Sequence, residues 1–447
     1  MIDSNEILQK AFQAALVVAD PKHIVPEYLA RIFPKGSEPK GRCLVVGAGK
    51  ASAAMASALE SYATKHWPDA KLEGIVLTRY GHASPTNHIA IVEAGHPVPD
   101  QAGMNGAIEM MRLVNQMNPG DILIALVSGG GSSLLTLPQA GISIDDMRQT
   151  TEALLRSGAP IEEMNIVRKH LSAILGGNLA RAALARGAQV EALLISDVTG
   201  DLPADIASGP CAADYSTYEN ARDILTKYRL GSDQIPASVL HHLEKGLQGA
   251  IPETLKDADL VNQPVRNHVI ATAHRSLESA AKCVRDFGYT PIILGDTITG
   301  EAKDVALVHA GLAREAITHH QWGALPIALI SGGECTVTLP AGVKGRGGRC
   351  SEFLLSLFAA TNDLPQIAAL AADTDGIDGS EKNAGAWFTS KTRQQAREQD
   401  MRAGLYLAAH DCYGFFSELG ALVETGPTLT NVNDFRIILL PADSGAK

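Results

Sequence analysis

The sequence predicts two α/β domains, each built on buried strands that end in glycine-rich turns. Three observations carry this prediction. Residues 122–127 form an unbroken apolar run, ILIALV, which breaks into Ser128-Gly129-Gly130-Gly131-Ser132-Ser133. An apolar run bounded by glycines reads as a strand buried on both faces, as in a parallel sheet. The pattern returns near the other end, where PIALISGGECTVTLP at 326–340 echoes LIALVSGGGSSLLTLP at 123–138. Finally, 447 residues exceed what one ordinary core serves.

Composition narrows the class. Apolar content of 45% with 19% charged residues is globular, and 42 glycines with few aromatics suit a protein with many strand–helix turns. A net charge of −11 argues against a nucleic-acid partner, because a phosphate backbone needs a basic surface. It leaves small anionic ligands open, since local fields hold those. The six cysteines show no CxxC spacing, so free thiols in a reducing compartment are expected rather than disulfides or a zinc site. No apolar run reaches membrane-spanning length, and the N-terminus lacks a basic-then-apolar signal. The expectation is a soluble cytoplasmic protein with no membrane partner. The reading leaves room for a homodimer.

The elements follow in order. Asp3-Ser4 caps an amphipathic helix over 5–19, expected to pack on the first domain. Residues 42–47 form a buried strand that turns through Gly47-Ala48-Gly49-Lys50 into an alanine-rich helix. Strands at 74–77 and 89–92 flank a loop containing Arg79-Tyr80-Gly81-His82, and Glu93 to Asp100 follows. A helix spans 105–116, and the strand 122–127 comes next. Ser143 with Asp146 three residues later marks a capping-box start. Helices at 161–175 and 179–186 precede a strand at 190–195, ending at Ser196-Asp197. Polar sequence over 216–260 marks the domain boundary, with Pro252 and Pro264 as breakers. The alternation then restarts with strands at 269–271, 290–294, 327–330, 367–371 and 435–440, and helices at 275–287, 301–318, 351–360 and 390–398. The domains are accordingly placed at 1–250 and 251–447.

Several motifs suggest anion chemistry, and each has a plainer reading. Gly47-Ala48-Gly49-Lys50, between strand and helix, has the form of a phosphate turn. It is not a Walker A loop, for Leu44 and Ala51 stand where Gly and Ser or Thr belong. It also fails the dinucleotide fingerprint, with Ser52 at the third glycine. A tight turn with a solvated lysine fits equally well. Ser128, Gly129, Gly130, Gly131 and Ser132 could cradle phosphates with backbone amides, or the glycines could serve close packing. They do not form a hydrolase elbow, because neither serine has Gly at both −2 and +2.

Asp197 and Asp201, and then Asp373, Asp375 and Asp378, follow strand ends, where open α/β sheets bind ligands. DTDGIDG fails as a calcium loop, with Ile377 and Asp378 at the wrong positions, and suits magnesium better. Asx-turns and helix caps are the alternative. Arg346 and Arg349, set among Gly345, Gly347 and Gly348, can grip carboxylate or phosphate, or lie in a mobile surface loop. Asn165, Arg168 and Lys169 share a helix face and read by default as a surface charge cluster. His82, His88 and His96 lack metal spacing and read as loop or structural residues.

Taken in order, GAGKASAAMA, TRYGHA, EAGHPVPD, VSGGGSSLL, NIVRKHLS, SDVTGD, IASGP, SGGECTVT, GGRCSE, DTDGIDG and TGPTLTNVNDF resemble the class II D-glycerate 2-kinases over nearly the whole chain. The resemblance implies an N-terminal Rossmann-like three-layer α/β domain and a C-terminal MOFRL-type α/β domain, with the active site in the cleft between them. It implies phosphorylation of D-glycerate at the 2-hydroxyl by ATP with Mg2+, giving 2-phosphoglycerate. Some relatives carry the label hydroxypyruvate reductase, which is the alternative activity. By the resemblance Lys50 and Arg349 are catalytic or substrate-binding. Asp197 is a catalytic or metal candidate, and Asp375 is a second metal candidate. Gly47, Gly49, Lys169, Glu334 and Arg346 are assigned to substrate, and Ser128 to Ser132 to nucleotide. Glu334, standing where the first copy has Gly131, is expected to handle metal, a hydroxyl or an arginine. The chain departs from the family pattern at Cys350, where asparagine is expected.

Overall fold

The computed structural model describes residues 3–442, apart from 341 and 365. The chain divides into two compact units, Pro21–Ile270 and a discontinuous one of Met1–Asp20 with Ala271–Lys447. The division falls later than the 250/251 boundary read from composition.

The first unit is a six-stranded sheet of β1 (Gly41–Ala48), β2 (Ala70–Arg79), β3 (Ile89–Ala94), β4 (Ile122–Val127), β5 (Gln189–Ile195) and β6 (Val265–Ala271). Its order is β3-β2-β1-β4-β5-β6, and β1 to β5 pair in parallel. The apolar runs of β1, β4 and β5 are buried on both faces, as helices on each side require. The helix Ile144–Arg156 opens with the expected capping box of Ser143 and Asp146. The helix read as 161–175 stops at Leu171, where Ser172 turns extended.

The second unit is built on β7 (Thr290–Gly295), β9 (Ile327–Gly333), β11 (Ala368–Asp373), β12 (Gly385–Phe388), β13 (Leu422–Val423) and β14 (Asp434–Leu440). A two-residue ladder joins β8 (Gly300–Glu301) to β10 (Cys335–Thr336). The main sheet runs β13-β12-β11-β14-β9-β7 and is mixed, with β14 antiparallel to both β11 and β9. So β9, the echo of β4, has one parallel and one antiparallel neighbour. An apolar run reports burial on both faces and says nothing of strand direction.

The opening helix, Ser4–Val17, does not join the first unit. Its stripe of Ile7, Leu8, Ala11, Phe12, Ala15 and Leu16 packs with Leu277, Ala280 and Val284 and with Phe435, Ile437 and Leu439. The Phe12 and Phe435 rings lie 5.7 Å apart, and Ser279 Oγ donates to the Ala14 carbonyl at 2.8 Å. Helical periodicity shows that a stripe is buried without saying against what. All six cysteines are free. Among the described residues no helix is long and apolar enough to cross a membrane.

Candidate active site

In the first unit β1 lies beside β4, the point where the winding of the sheet reverses. In such sheets a crevice opens there at the carboxyl ends of the strands. Ala48 and Val127 are register partners, so GAGK and SGGGSS leave the sheet side by side. Their glycines are needed for that closeness. A Cβ on Gly47 would sit 2.0 Å from the Leu126 oxygen, and one on Gly49, at φ +143°, 2.1 Å from Ser128 Oγ.

The amides of GAGK are already engaged. Gly49 N–H donates to the Leu77 carbonyl at 3.2 Å, Lys50 N–H to that of Gly129 at 2.9 Å, and Ala51 N–H to Ser128 Oγ at 3.0 Å. The amides of Gly49, Lys50 and Ala51 are thus taken up by neighbouring protein groups. These glycines knit two turns together, and the Lys50 side chain is half-buried. Ser128 is engaged in the same way. It is fully buried, its N–H reaches the Ala48 carbonyl, and its hydroxyl lies 3.3 Å from Ser52 Oγ. Gly131 N–H donates back to the Ser128 carbonyl at 3.2 Å.

Gly130 adopts φ +82° and caps the short helix Gly131–Leu134. A Cβ there would meet the His96 ring at 2.8 Å and Lys50 Cγ at 3.6 Å. His96, read from sequence as a loop histidine, thus stands against the glycine turn on the lysine's side. The available signal was position: EAGHPVPD follows β3 at the same sheet edge as the other turns. Ser132 Oγ lies 2.8 Å from Ser208 Oγ in the IASGP segment. There Ala207 and Ser208 hold φ of +50° and +58°. Non-glycine residues pay a steric penalty in this region and persist where surrounding structure enforces it. Asp197 follows β5, next to β4, and is half-buried.

Lys169 is not on a surface face. It is 1% exposed, with Nζ 3.3 Å from Asp214 Oδ1 and 3.5 Å from Asp205 Oδ1, and it lies 5.1 Å from the centre of the Tyr215 ring. A buried ammonium needs such partners. Spacing along one helix could not reveal carboxylates some forty residues downstream, on the order of one supersecondary unit away.

In the second unit the glycine loop orders the arginines. Arg349 opens the helix Arg349–Ala360. Its Nε donates to Asp434 at 2.7 Å, Nη2 to Asp373 at 2.7 Å, and Nη1 lies 3.2 Å from Glu334. Burial opposes its charge, but Asp434, Asp373 and Glu334 outweigh that and hold the guanidinium above its ordinary range. Of the three partners foreseen for Glu334, it takes the arginine. Arg436 donates to Asp434 at 2.6 Å and to the Gly332 carbonyl at 2.9 Å, tying the second glycine turn to the same carboxylate. Arg346 is half-exposed, stacks 4.8 Å above Tyr413 and lies 3.5 Å from Glu381.

The aspartates of DTDGIDG turn inward. Asp375 is 3% exposed, and its Oδ1 accepts the Ile377 N–H at 2.9 Å. Asp378 accepts the amides of Cys350 at 3.0 Å and Ser351 at 2.8 Å, capping the helix that Arg349 begins. Burial pushes the Asp378 carboxyl up to about 6 against these hydrogen bonds. Cys350 itself is fully buried, with its thiol pushed up by burial.

A sheet of Rossmann strand order and a second unit on a mixed sheet place the chain in the class of two-unit α/β proteins. Residues 7–244 match the family described as domain of unknown function DUF4147, and residues 327–434 match the MOFRL family. The chain is 37% identical to the glycerate 2-kinase of Pyrococcus horikoshii, over 99% of each chain. It is 46% identical to an Agrobacterium vitis protein provisionally named a hydroxypyruvate reductase, over 98% of this chain and 95% of that one. The crystal structure of glycerate kinase from Thermotoga maritima superposes with a TM-score of 0.84 at 33% identity, covering 97% of this chain and 99% of that one. The chain belongs to the glycerate kinase family.

Proposed function

We propose that this enzyme transfers the γ-phosphoryl group of ATP to the 2-hydroxyl of D-glycerate, giving 2-phosphoglycerate and ADP. The observation that supports this most is Lys50 beside the Gly130 turn at the β1–β4 switch point. Phosphoryl transfer asks the protein mainly for positioning and for positive charge around the moving group. Lys50 supplies charge at the transferring phosphoryl. Arg349 receives the glycerate carboxylate by exchanging Glu334, whose side chain is 55% exposed, for substrate.

Among the described residues no group of three or more His, Cys, Asp or Glu side chains could hold a metal ion. Magnesium that binds with substrate phosphates needs only one or two carboxylates. Asp197 at the β5 end fits that requirement, whereas Asp375 is buried and shapes its own loop. When bound, magnesium offsets charge on the phosphates. A cytoplasmic location and a homodimer belong to the same reading, and light scattering on the purified chain checks the dimer.

One coupled assay tests the reaction. With D-glycerate, ATP and magnesium, enolase should consume the product directly. Conversion only after adding a phosphoglycerate mutase would mean 3-phosphoglycerate and refute the regiochemistry. The Agrobacterium name favours a second reading, which predicts NAD(P)H oxidation by hydroxypyruvate without ATP. The broken dinucleotide fingerprint at Ser52 counts against it. Lys50→Ala should abolish turnover and leave the melting temperature unchanged. Near-normal activity would remove Lys50 from the mechanism.

A further inference from the structure

A cavity of about 350 Å3 lies within the second unit, bordered by the loop that carries Arg346 and Arg349 and by His410. His410 is paired with a carboxylate there. Its Nδ1 lies 2.9 Å from Glu352 Oε2, and the two side chains are 10% and 4% exposed. A carboxylate on Nδ1 fixes the proton at that nitrogen and leaves Nε2 as the basic one.

The ring is held by more than this pair. His410 sits at φ +50°, and its carbonyl accepts the Arg346 N–H at 2.8 Å. A Cβ on Gly345 would come within 2.9 Å of that carbonyl and 3.0 Å of the His410 Cβ. Only glycine lets the arginine loop close on the histidine. An oriented imidazole and two guanidiniums therefore border one small cavity, the arrangement needed to hold a carboxylate and deprotonate a neighbouring hydroxyl.

We propose that this cavity is the acceptor subsite, with His410 as the base for the glycerate hydroxyl and Glu352 as the residue that positions its ring. This rests on the kinase reading above. Arg346 and Arg349 hold the carboxylate. The 2-hydroxyl O–H bond breaks and its proton passes to His410 Nε2 while the oxygen bonds to the γ-phosphorus. The bond from that phosphorus to the β–γ bridging oxygen breaks, and its electron pair leaves on ADP. Solvent then takes the proton from the imidazolium.

Two substitutions accept the left-handed backbone at 410. His410→Asn keeps a polar side chain, and His410→Gly opens a hole in the full-length enzyme. In both, kcat should fall by about 10²-fold or more, the contribution of a general base, while KM for glycerate changes little. Free imidazole should restore turnover to His410→Gly and leave His410→Asn unchanged. Glu352→Gln should lose less and gain nothing from imidazole. Wild-type kcat in His410→Asn, or a loss in folded His410→Gly that imidazole does not reverse, overturns the proposal and leaves the kinase reading standing. Failure of the wild-type enzyme to phosphorylate glycerate overturns both.

Discussion

Replacing Arg349 by lysine keeps the charge and removes the fork. Arg349 reaches Asp434 through Nε and Asp373 through Nη2, both at 2.7 Å. One ammonium cannot occupy both positions. The stranded carboxylate is buried, since the Asp434 and Asp373 side chains are 0% and 4% exposed. Breaking a buried pair from one side costs roughly 3–5 kcal/mol. Asp434 keeps Arg436 at 2.6 Å, and Asp373 Oδ1 keeps the Asp375 N–H at 3.0 Å. These remaining bonds place the loss near the lower end, about 3 kcal/mol. Glu334→Gln removes only the solvent-facing contact of the same guanidinium, worth at most about 1 kcal/mol. For a unit of this size each kcal/mol shifts melting by roughly 2–4 °C. Calorimetry on the full chain should therefore show the second unit of Arg349→Lys melting about 6–12 °C lower, and Glu334→Gln within about 4 °C of wild type. Equal melting of Arg349→Lys and wild type, or equal damage from Glu334→Gln, would refute the idea that this arginine is clamped from its buried side.

Gly130→Ala forces a side chain into the left-handed region at about 1–2 kcal/mol and drives a methyl into the His96 ring. Steady-state kinetics should show a loss on the order of 10²-fold, the scale of a displacement near 1 Å, and His96→Ala in the same chain should recover part of it. His309 gives a pH prediction. Burial lowers it from 6.5 to about 4, with Nδ1 2.8 Å from the Val305 carbonyl and Nε2 3.0 Å from Ser331 Oγ. The folded chain keeps it neutral where the unfolded chain protonates it. Its contribution is complete above pH 6.5 and is lost as pH falls toward 4. Urea titrations should show this acid-side slope, with a ceiling of about 3 kcal/mol. A His309→Gln variant with the same slope would exclude His309 as its source.

Much of this was legible in the sequence, and the misses share a cause. The strands of the first unit were visible because apolar runs ending in glycine have few other uses. The capping box at Ser143 was visible because it is local. Lys169 and the opening helix depart from their sequence readings because their partners are distant in the chain. A lysine needs a nearby carboxylate to be buried, and sequence spacing showed none near Lys169. GAGK left two readings open in the sequence. Its glycines permit close approach, and the backbone that approaches Gly47 and Gly49 is that of Leu126 and Ser128. The glycine setting of Arg349 is local and visible in the sequence, whereas the three carboxylates that hold it come from three separate strand ends.

The packing of Ser4–Val17 on the second sheet has a consequence for how the protein is made. Ser4–Val17 is synthesised before Pro21–Ile270 yet belongs to the unit whose remainder follows that stretch. During translation it must wait, amphipathic and unmatched, while the whole of Pro21–Ile270 emerges. A fragment expressed from residue 271 onward would bare Leu277, Ala280, Phe435 and Leu439, which pack with the helix in the intact chain. Such a fragment should be prone to aggregation, and a synthetic peptide of the first twenty residues, added in trans, should rescue its solubility.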